Sequence, residues 1–287
     1  MSIANESMLV NLSMSVWTGR KLDKKVSAEV DVAKSTKTRA GNYHKNLFAG
    51  ANELLVVGQV SGKIRNWFHE QTMPWSDGGD RLLPMANFKD FKAQLAVFEQ
   101  EFKDAVSIFC AKYSDLISAQ AFTMGTLFDR AEYPDVDDIA NKFDLRYTFS
   151  PVPEVGDWRV DADAADKKEL EEHYQKAYDD RLGSTTKDLW DRLHGVLTHM
   201  ADRLADVTEG EREGKGKIFR DSLLETPVKL CELLTKLNVT NDPKLEAARK
   251  SLESAILNVE IKDLRESKGA RLEVKTQVDE ILKRFDF

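Results

Sequence analysis

The feature that most limits what this chain can fold into is a run of large apolar residues near its middle. Phe88, Phe91, Leu95, Phe98, Phe102, Ala105, Phe109 and Tyr113 recur at spacings of three and four. Side chains at that spacing share one face of an α-helix, so the run demands a long helix with an aromatic seam. So much apolar surface cannot stay in water. Either the rest of the chain covers it, or a second copy does. Composition suits a helix-rich chain: 32% of the 287 residues are charged, against roughly 25% in ordinary globular chains. Glycines number 15 and prolines seven, too few for a low-complexity chain.

Strands are scarce. Residues 8–17 alternate, with Val10, Leu12, Met14 and Val16 on one side and Asn11, Ser13, Ser15 and Trp17 on the other, which reads as a half-buried strand. Leu145, Tyr147 and Phe149 alternate again, and so do Trp158 and Val160 beyond Ser-Pro-Val-Pro. The expected fold is α+β and mainly α, with long helices, helical hairpins and an antiparallel sheet of about three strands. Thr18 is placed to cap a short basic helix, 34–41 reads as a loop, and a helix is expected over 42–70. Pro74–Pro84, with Trp75, Asp77, Gly78, Gly79, Asp80 and Arg81, reads as a shaped loop that buries Trp75. A short helix is entered at Asp135. From Ala164 the chain reads as helical, with a stripe of Leu189, Leu193, Val196, Met200, Leu204 and Val207. A glycine-punctuated loop over 209–217 interrupts it, Pro227 kinks or splits the next helix, and Asp242-Pro243 starts another. Leu272, Val278, Ile281, Leu282 and Phe285 carry the last helix. Domains are expected over 1–163 and 164–287.

Catalytic and cofactor motifs are missing from the sequence. His69-Glu70 lacks a second histidine four residues on, and His194 and His199 fall on different helix faces. Gly214-Lys-Gly-Lys217 lacks the spaced first glycine and the Ser/Thr ending of a phosphate-binding loop. Asp77 and Asp80 flank two glycines, a pattern commoner in turns than in cation sites. The reading is therefore non-enzymatic, with no metal and no cofactor. No run of about 18 apolar residues suggests a membrane span, and residues 1–17 lack a signal-peptide pattern. Cys110 and Cys231 read as buried free thiols, which fits the cytoplasm.

Charge is the remaining clue. Net charge is −7, yet residues 18–45 hold eight bases against three acids, +5, while 129–180 hold 16 acids against seven bases, −9. A basic front suits a polyanion, and opposite patches suit pairing between copies. Trp17, Arg20, Lys21, Lys24, Lys25, Lys37, Arg39, His44 and Lys45 combine cations with aromatic surface. Arg65, Trp67, Trp75 and Arg81 could extend the patch. Single-strand binding uses this mixture, cations for phosphates and flat rings for bases. The competing reading has the tryptophans in the core and the lysines merely solvated.

Several of these residues also carry a family resemblance. Trp17-Thr-Gly-Arg-Lys21 after a strand, Pro74-Trp75-Ser-Asp-Gly-Gly-Asp-Arg81-Leu-Leu-Pro84, Tyr133-Pro134, and Pro151-Val-Pro153 leading to Gly156-Asp157-Trp158-Arg159 stand in order along roughly residues 8–163. In these the chain resembles an uncharacterised family of phage and integrative-conjugative-element proteins. The resemblance implies a mobile-element setting, near recombination genes or a MoxR-like AAA+ ATPase. The expectation is an oligomeric accessory protein of DNA metabolism in the cytoplasm of a bacterial host, binding single-stranded nucleic acid through its basic front. The alternative is a protein-interaction or assembly module, such as an adaptor of that ATPase, that binds no nucleic acid.

Overall fold

A single turn, α1 (Ile3–Glu6), leads into β1 (Ser7–Ser15), the alternating segment at the front of the chain. The computed structural model describes residues 3–153, 164–205 and 219–285. After β1 the chain departs from expectation. Thr18 caps nothing. Gly19 turns the backbone at φ +61°, a left-handed conformation that glycine adopts without strain, and a Cβ there would press on Leu54 Cδ2 at 2.9 Å. Arg20–Leu22 then forms β2, and the helix α2 (Lys24–Ala33) starts later, capped by Asp23. The loop expected over 34–41 is present. His44–Asn46 forms β3, paired antiparallel with β2, and Gly50 turns at φ +81°. The expected 42–70 helix therefore starts only at α3 (Asn52–Gln71).

The Pro74–Pro84 segment is a hairpin, not a loop. β4 (Met73–Pro74) and β5 (Arg81–Pro84) pair antiparallel, with Met73 opposite Leu82 and Pro74 opposite Arg81. The Asp80 carbonyl closes the turn by accepting from the Trp75 and Ser76 amides, both at 3.2 Å. Proline is tolerated because β4 is an edge strand, where a missing N–H leaves no ladder position empty.

The seam forms α4 (Met85–Thr123), 39 residues long. α5 (Val136–Ile139) begins after Asp135 as expected, and β6 (Asp144–Pro151) follows. The sheet is small, with strand order β4-β5-β1-β6. The expected strand at Trp158 and Val160 and the loop over 209–217 lie outside the described residues. So does Val207. The rest is helical: α6 (Ala164–Leu204), α7 (Ser222–Leu237), α8 (Pro243–Ile256), α9 (Ile261–Glu266) and α10 (Lys268–Arg284). α7 runs through Pro227, which is buried. Asp242 caps α8 by accepting from Lys244 N at 2.8 Å and Leu245 N at 3.4 Å, with Pro243 at the first helical position. The class is α+β, mainly α. Among the described residues no helix is long and apolar enough to cross a membrane.

Packing does not follow the 163/164 division expected from the sequence. One compact unit takes residues 1–11, 70–89 and 149–287, and the other takes 12–69 and 90–148. The first builds its core from Leu9, Met73, Trp75 and Leu82 with Leu193, Met200, Leu234, Leu252 and Val278. Leu272, expected on that side of the last helix, is 61% exposed; Val274 is buried instead. The second unit buries most of the seam. Phe98, Phe102, Ala105, Phe109 and Tyr113 pack with Leu47, Phe48, Val57 and Ile64. Within the same unit Trp67 stacks on Phe91, ring centroids 4.7 Å apart.

Two measurements test this packing. Trp75 is 4% exposed and meets the edge of Tyr178 at 5.5 Å, so Trp75→Ala is expected to cost about 3 kcal/mol in urea unfolding. An unchanged midpoint would contradict its burial. In α8, Arg249 grips Glu246 bidentately with both contacts at 2.8 Å, and this lowers the Glu246 carboxyl from 4.5 to about 2. A lowered carboxylate stabilises fully above its unfolded value, and the stabilisation fades as pH falls through the folded one. Glu246→Gln should therefore destabilise at pH 7, and the gap to the native chain should close between pH 4.5 and about 2. A gap constant over that range would exclude the ion pair as its source.

Candidate nucleic-acid interface

The basic front is an excursion from the second unit. It consists of the β2–β3 ribbon, with α2 and the 34–43 loop inserted between the strands. In the ribbon Arg20 faces Asn46, Lys21 faces Lys45, and Leu22 faces His44. Strand alternation therefore puts Arg20 and Lys21 on opposite faces. α2 is stitched to the ribbon by polar bonds. The Ser27 hydroxyl donates to the Asp23 carbonyl at 2.6 Å and accepts from the Tyr43 amide at 2.9 Å, while the Asp23 amide donates to the Tyr43 carbonyl at 2.9 Å. Ser27 is the one buried residue of this helix.

Ion pairing divides the cations into two sets. Lys45 is committed to structure. Its side chain is 5% exposed; Nζ lies 3.3 Å from Asp23 and 2.5 Å from Glu132, and donates to the Leu127 carbonyl at 2.9 Å. Burial works against its charge, but the bonds to Glu132 and Asp23 outweigh that, and the ammonium is held above its ordinary value. Asp23 is held below the usual carboxylate value, chiefly by the Val26 amide and also by Lys45. Arg39 pairs with Asp31 at 3.4 Å. In contrast, Arg20, Lys21, Lys24, Lys25, Lys34 and Lys37 are all exposed, and none forms an ion pair among the described residues.

The aromatic part of the expected site is not there. Trp17 packs inside the second unit, edge-on to Phe48 at 5.7 Å and 6.4 Å from both Phe109 and Tyr113. Trp67 is stacked on Phe91. Trp75 is buried in the first unit, so its ring is closed to a base. Arg81, in that same unit, donates to the Thr72 hydroxyl at 2.7 Å and the Thr72 carbonyl at 3.0 Å. Burial, above all, lowers its guanidinium below the ordinary value, with Asp188 opposing and Arg192 adding to the effect. Arg65 is exposed but donates to the Met14 carbonyl at 3.2 Å. Trp17, Lys45, Trp75 and Arg81 are therefore withdrawn as ligand contacts.

Three further residues belong to the patch: Lys34, counted in the +5 segment but not among the expected contacts, and Tyr43 and Val32, which the sequence did not single out. Lys34 adds a cation. Tyr43 is the exposed aromatic ring of the excursion, at 40%, and Val32 stands 79% in solvent. Tyr43 lies next to His44 in sequence, but nothing in the pattern separates it from core aromatics. Elsewhere, Asp80 accepts from Asn11 at 3.0 Å and closes the hairpin turn, and Asp77 is exposed. Among the described residues no group of three possible metal ligands occurs. Compared with protein-family models, with curated proteins and with solved structures, the chain matches none.

The Lys45 cluster can be tested directly. Removing one partner of a buried ion pair leaves uncompensated charge, so Lys45→Met is expected to cost about 3 kcal/mol in urea unfolding. Adding Glu132→Gln should recover part of that stability. An unchanged midpoint for Lys45→Met would show that the cluster does not hold the excursion.

Proposed function

We propose that the protein is a non-enzymatic nucleic-acid-binding accessory protein that contacts phosphates through residues 20–46. One observation carries this reading. Six exposed cations (Arg20, Lys21, Lys24, Lys25, Lys34 and Lys37) stand with Glu29 as the acid of the segment that has no cation partner. Unpaired like charges repel one another, and a polyanion relieves that repulsion while releasing its counterions. The single-strand preference expected from the sequence loses much of its support, since Trp75 is buried and Trp17 is half-buried against Phe48, Phe109 and Tyr113. Phosphate contact alone distinguishes single strand from duplex weakly. The resemblance supplies the setting: DNA metabolism of a phage or conjugative element in a bacterial host.

A second reading has its own observation. Val30, Val32 and Tyr43 are exposed beside the cations, a mixture that also suits an acidic protein partner, the AAA+ ATPase of the implied neighbourhood included. The homo-oligomer proposal is weaker than the sequence suggested, because the seam is largely covered inside one unit. Only the opposite charges of the two regions still favour it.

Binding to a random-sequence duplex and to a single strand of equal length, each over a salt series, tests the primary reading. The logarithm of affinity should fall steeply with the logarithm of salt, by about 0.9 per duplex phosphate neutralised. Replacing Arg20, Lys21, Lys24 and Lys25 by alanine should weaken binding and reduce that slope by about one for each phosphate no longer neutralised. Salt-independent binding, or an unchanged slope in the quadruple variant, would remove this surface from the reading and leave the protein-partner alternative.

A further inference from the structure

The loop after α2 is tied down by one acid. The Asp31 carboxylate accepts from the Thr36 hydroxyl at 3.2 Å and the Ala40 amide at 3.3 Å, and meets Arg39 Nε at 3.4 Å. Its carbonyl accepts the Thr36 amide at 3.0 Å and the Thr36 hydroxyl at 3.3 Å. Ser35, at φ +53°, makes the reversal that brings Thr36 back over the helix end. Lys37 thus lies in a bracket anchored at Thr36 on one side and at Arg39 and Ala40 on the other. The bracket has little apolar packing, since residues 34–40 are all exposed. Its order rests on Asp31.

We propose that Asp31 is a positioning residue for anion binding: its carboxylate holds the 36–40 loop on α2 so that Lys37, within that loop, is held in place for a phosphate. This rests on the nucleic-acid reading above and adds a regulator of geometry to that site. The proposal reverses the usual sign of a charge change. An acid on a phosphate-binding surface repels the ligand, so its removal ordinarily tightens binding. Glu29 is such an acid: it is exposed and makes no bond among the described residues. Asp31 carries the same charge two residues on, yet removing its carboxylate frees the Arg39–Ala40 side of the loop, leaving Thr36 held by the Asp31 carbonyl alone. An unrestrained loop loses conformational entropy on binding, and its lysine reaches the phosphate less often.

The experiment compares Glu29→Gln, Asp31→Ala and Asp31→Asn with the native chain, binding the random-sequence duplex over a salt series. Glu29→Gln should bind more tightly with an unchanged slope. Asp31→Ala should bind more weakly despite the same gain in net charge, with a slope smaller by about 0.9 as Lys37 ceases to neutralise its phosphate. Asp31→Asn keeps an acceptor for Thr36 and Ala40, and should restore native binding or better. Trypsin gives a second measure independent of ligand: Asp31→Ala should speed cleavage after Lys37, while Asp31→Asn leaves it near the native rate. If Asp31→Ala tightens binding as Glu29→Gln does, or if cleavage after Lys37 does not change, the positioning role is overturned while the nucleic-acid reading stands. If the native chain does not bind the duplex at all, that reading fails first and the proposal falls with it.

Discussion

A helix of 39 residues with an aromatic seam must hide that seam, and much of the second unit follows from the need. At roughly 25 cal/mol per Å² of apolar surface removed from water, burying even a few phenylalanines outweighs the separate contribution of any surface ion pair. The cover comes from within the unit. Val57 and Ile64 of α3 face it, Phe48 plugs it between Trp17, Phe109 and Tyr113, and Tyr133 closes one end. Two polar tips are satisfied on the way. Tyr113 donates to the Pro134 carbonyl at 2.9 Å and Tyr133 to the Leu47 carbonyl at 2.8 Å. Burial pushes the Tyr113 hydroxyl up to about 12, so it stays a donor at any ordinary pH.

The same constraint decides what kind of binding surface can exist. Packing the seam takes up Trp17 and Trp67, and the first unit takes up Trp75. The rings that could have stacked on bases serve as core, and the basic excursion is left with its cations and one tyrosine. Electrostatics makes a parallel selection. Lys45 alone is drawn inside, where it meets two carboxylates and a carbonyl. Of the cations that remain outside, Arg39 pairs with Asp31, and the other six have no acidic partner among the described residues.

How legible this was in the sequence depends on the range of the forces involved. The long helix and β1 could be read because their patterns are periodic and repeated. The Asp242 start could be read because its cap acts within three residues, and the Asp135 start because a proline stands just before it, although the Asp135 side chain caps nothing. The β4–β5 hairpin was missed because Pro74 and the two glycines look like a loop until a sheet edge is known to receive β4. β2 and β3 were missed for a related reason: each is three residues long, and their pairing spans the whole of α2. The separation of free from paired cations was illegible. Nothing near Lys45 in sequence announces Glu132, and nothing near Trp17 announces Phe109. The two-unit division was hidden as well, since both units are assembled from separated stretches of chain.

α2 carries its charges the wrong way round for a helix. Its first turn holds Lys24 and Lys25, where the macrodipole is positive, and its last turn holds Asp31, where it is negative. Each misplacement costs roughly 0.3–1 kcal/mol near a surface. A helix of ten residues that buries only Ser27 has little apolar packing to offset such costs. The Asp23 cap offsets part of the first, and the bonds from Asp31 to Thr36 and Ala40 offset part of the second. Local rules are commonly broken where a site needs residues that stability alone would not choose. Reversing the helix, with acids first and bases last, would strengthen it and would also draw acid toward the Arg20–Lys21 ribbon. The arrangement observed keeps the helix entrance cationic and commits the acid at its far end to the loop. That is the pattern expected if α2 is retained for the surface it presents rather than for the core it fills.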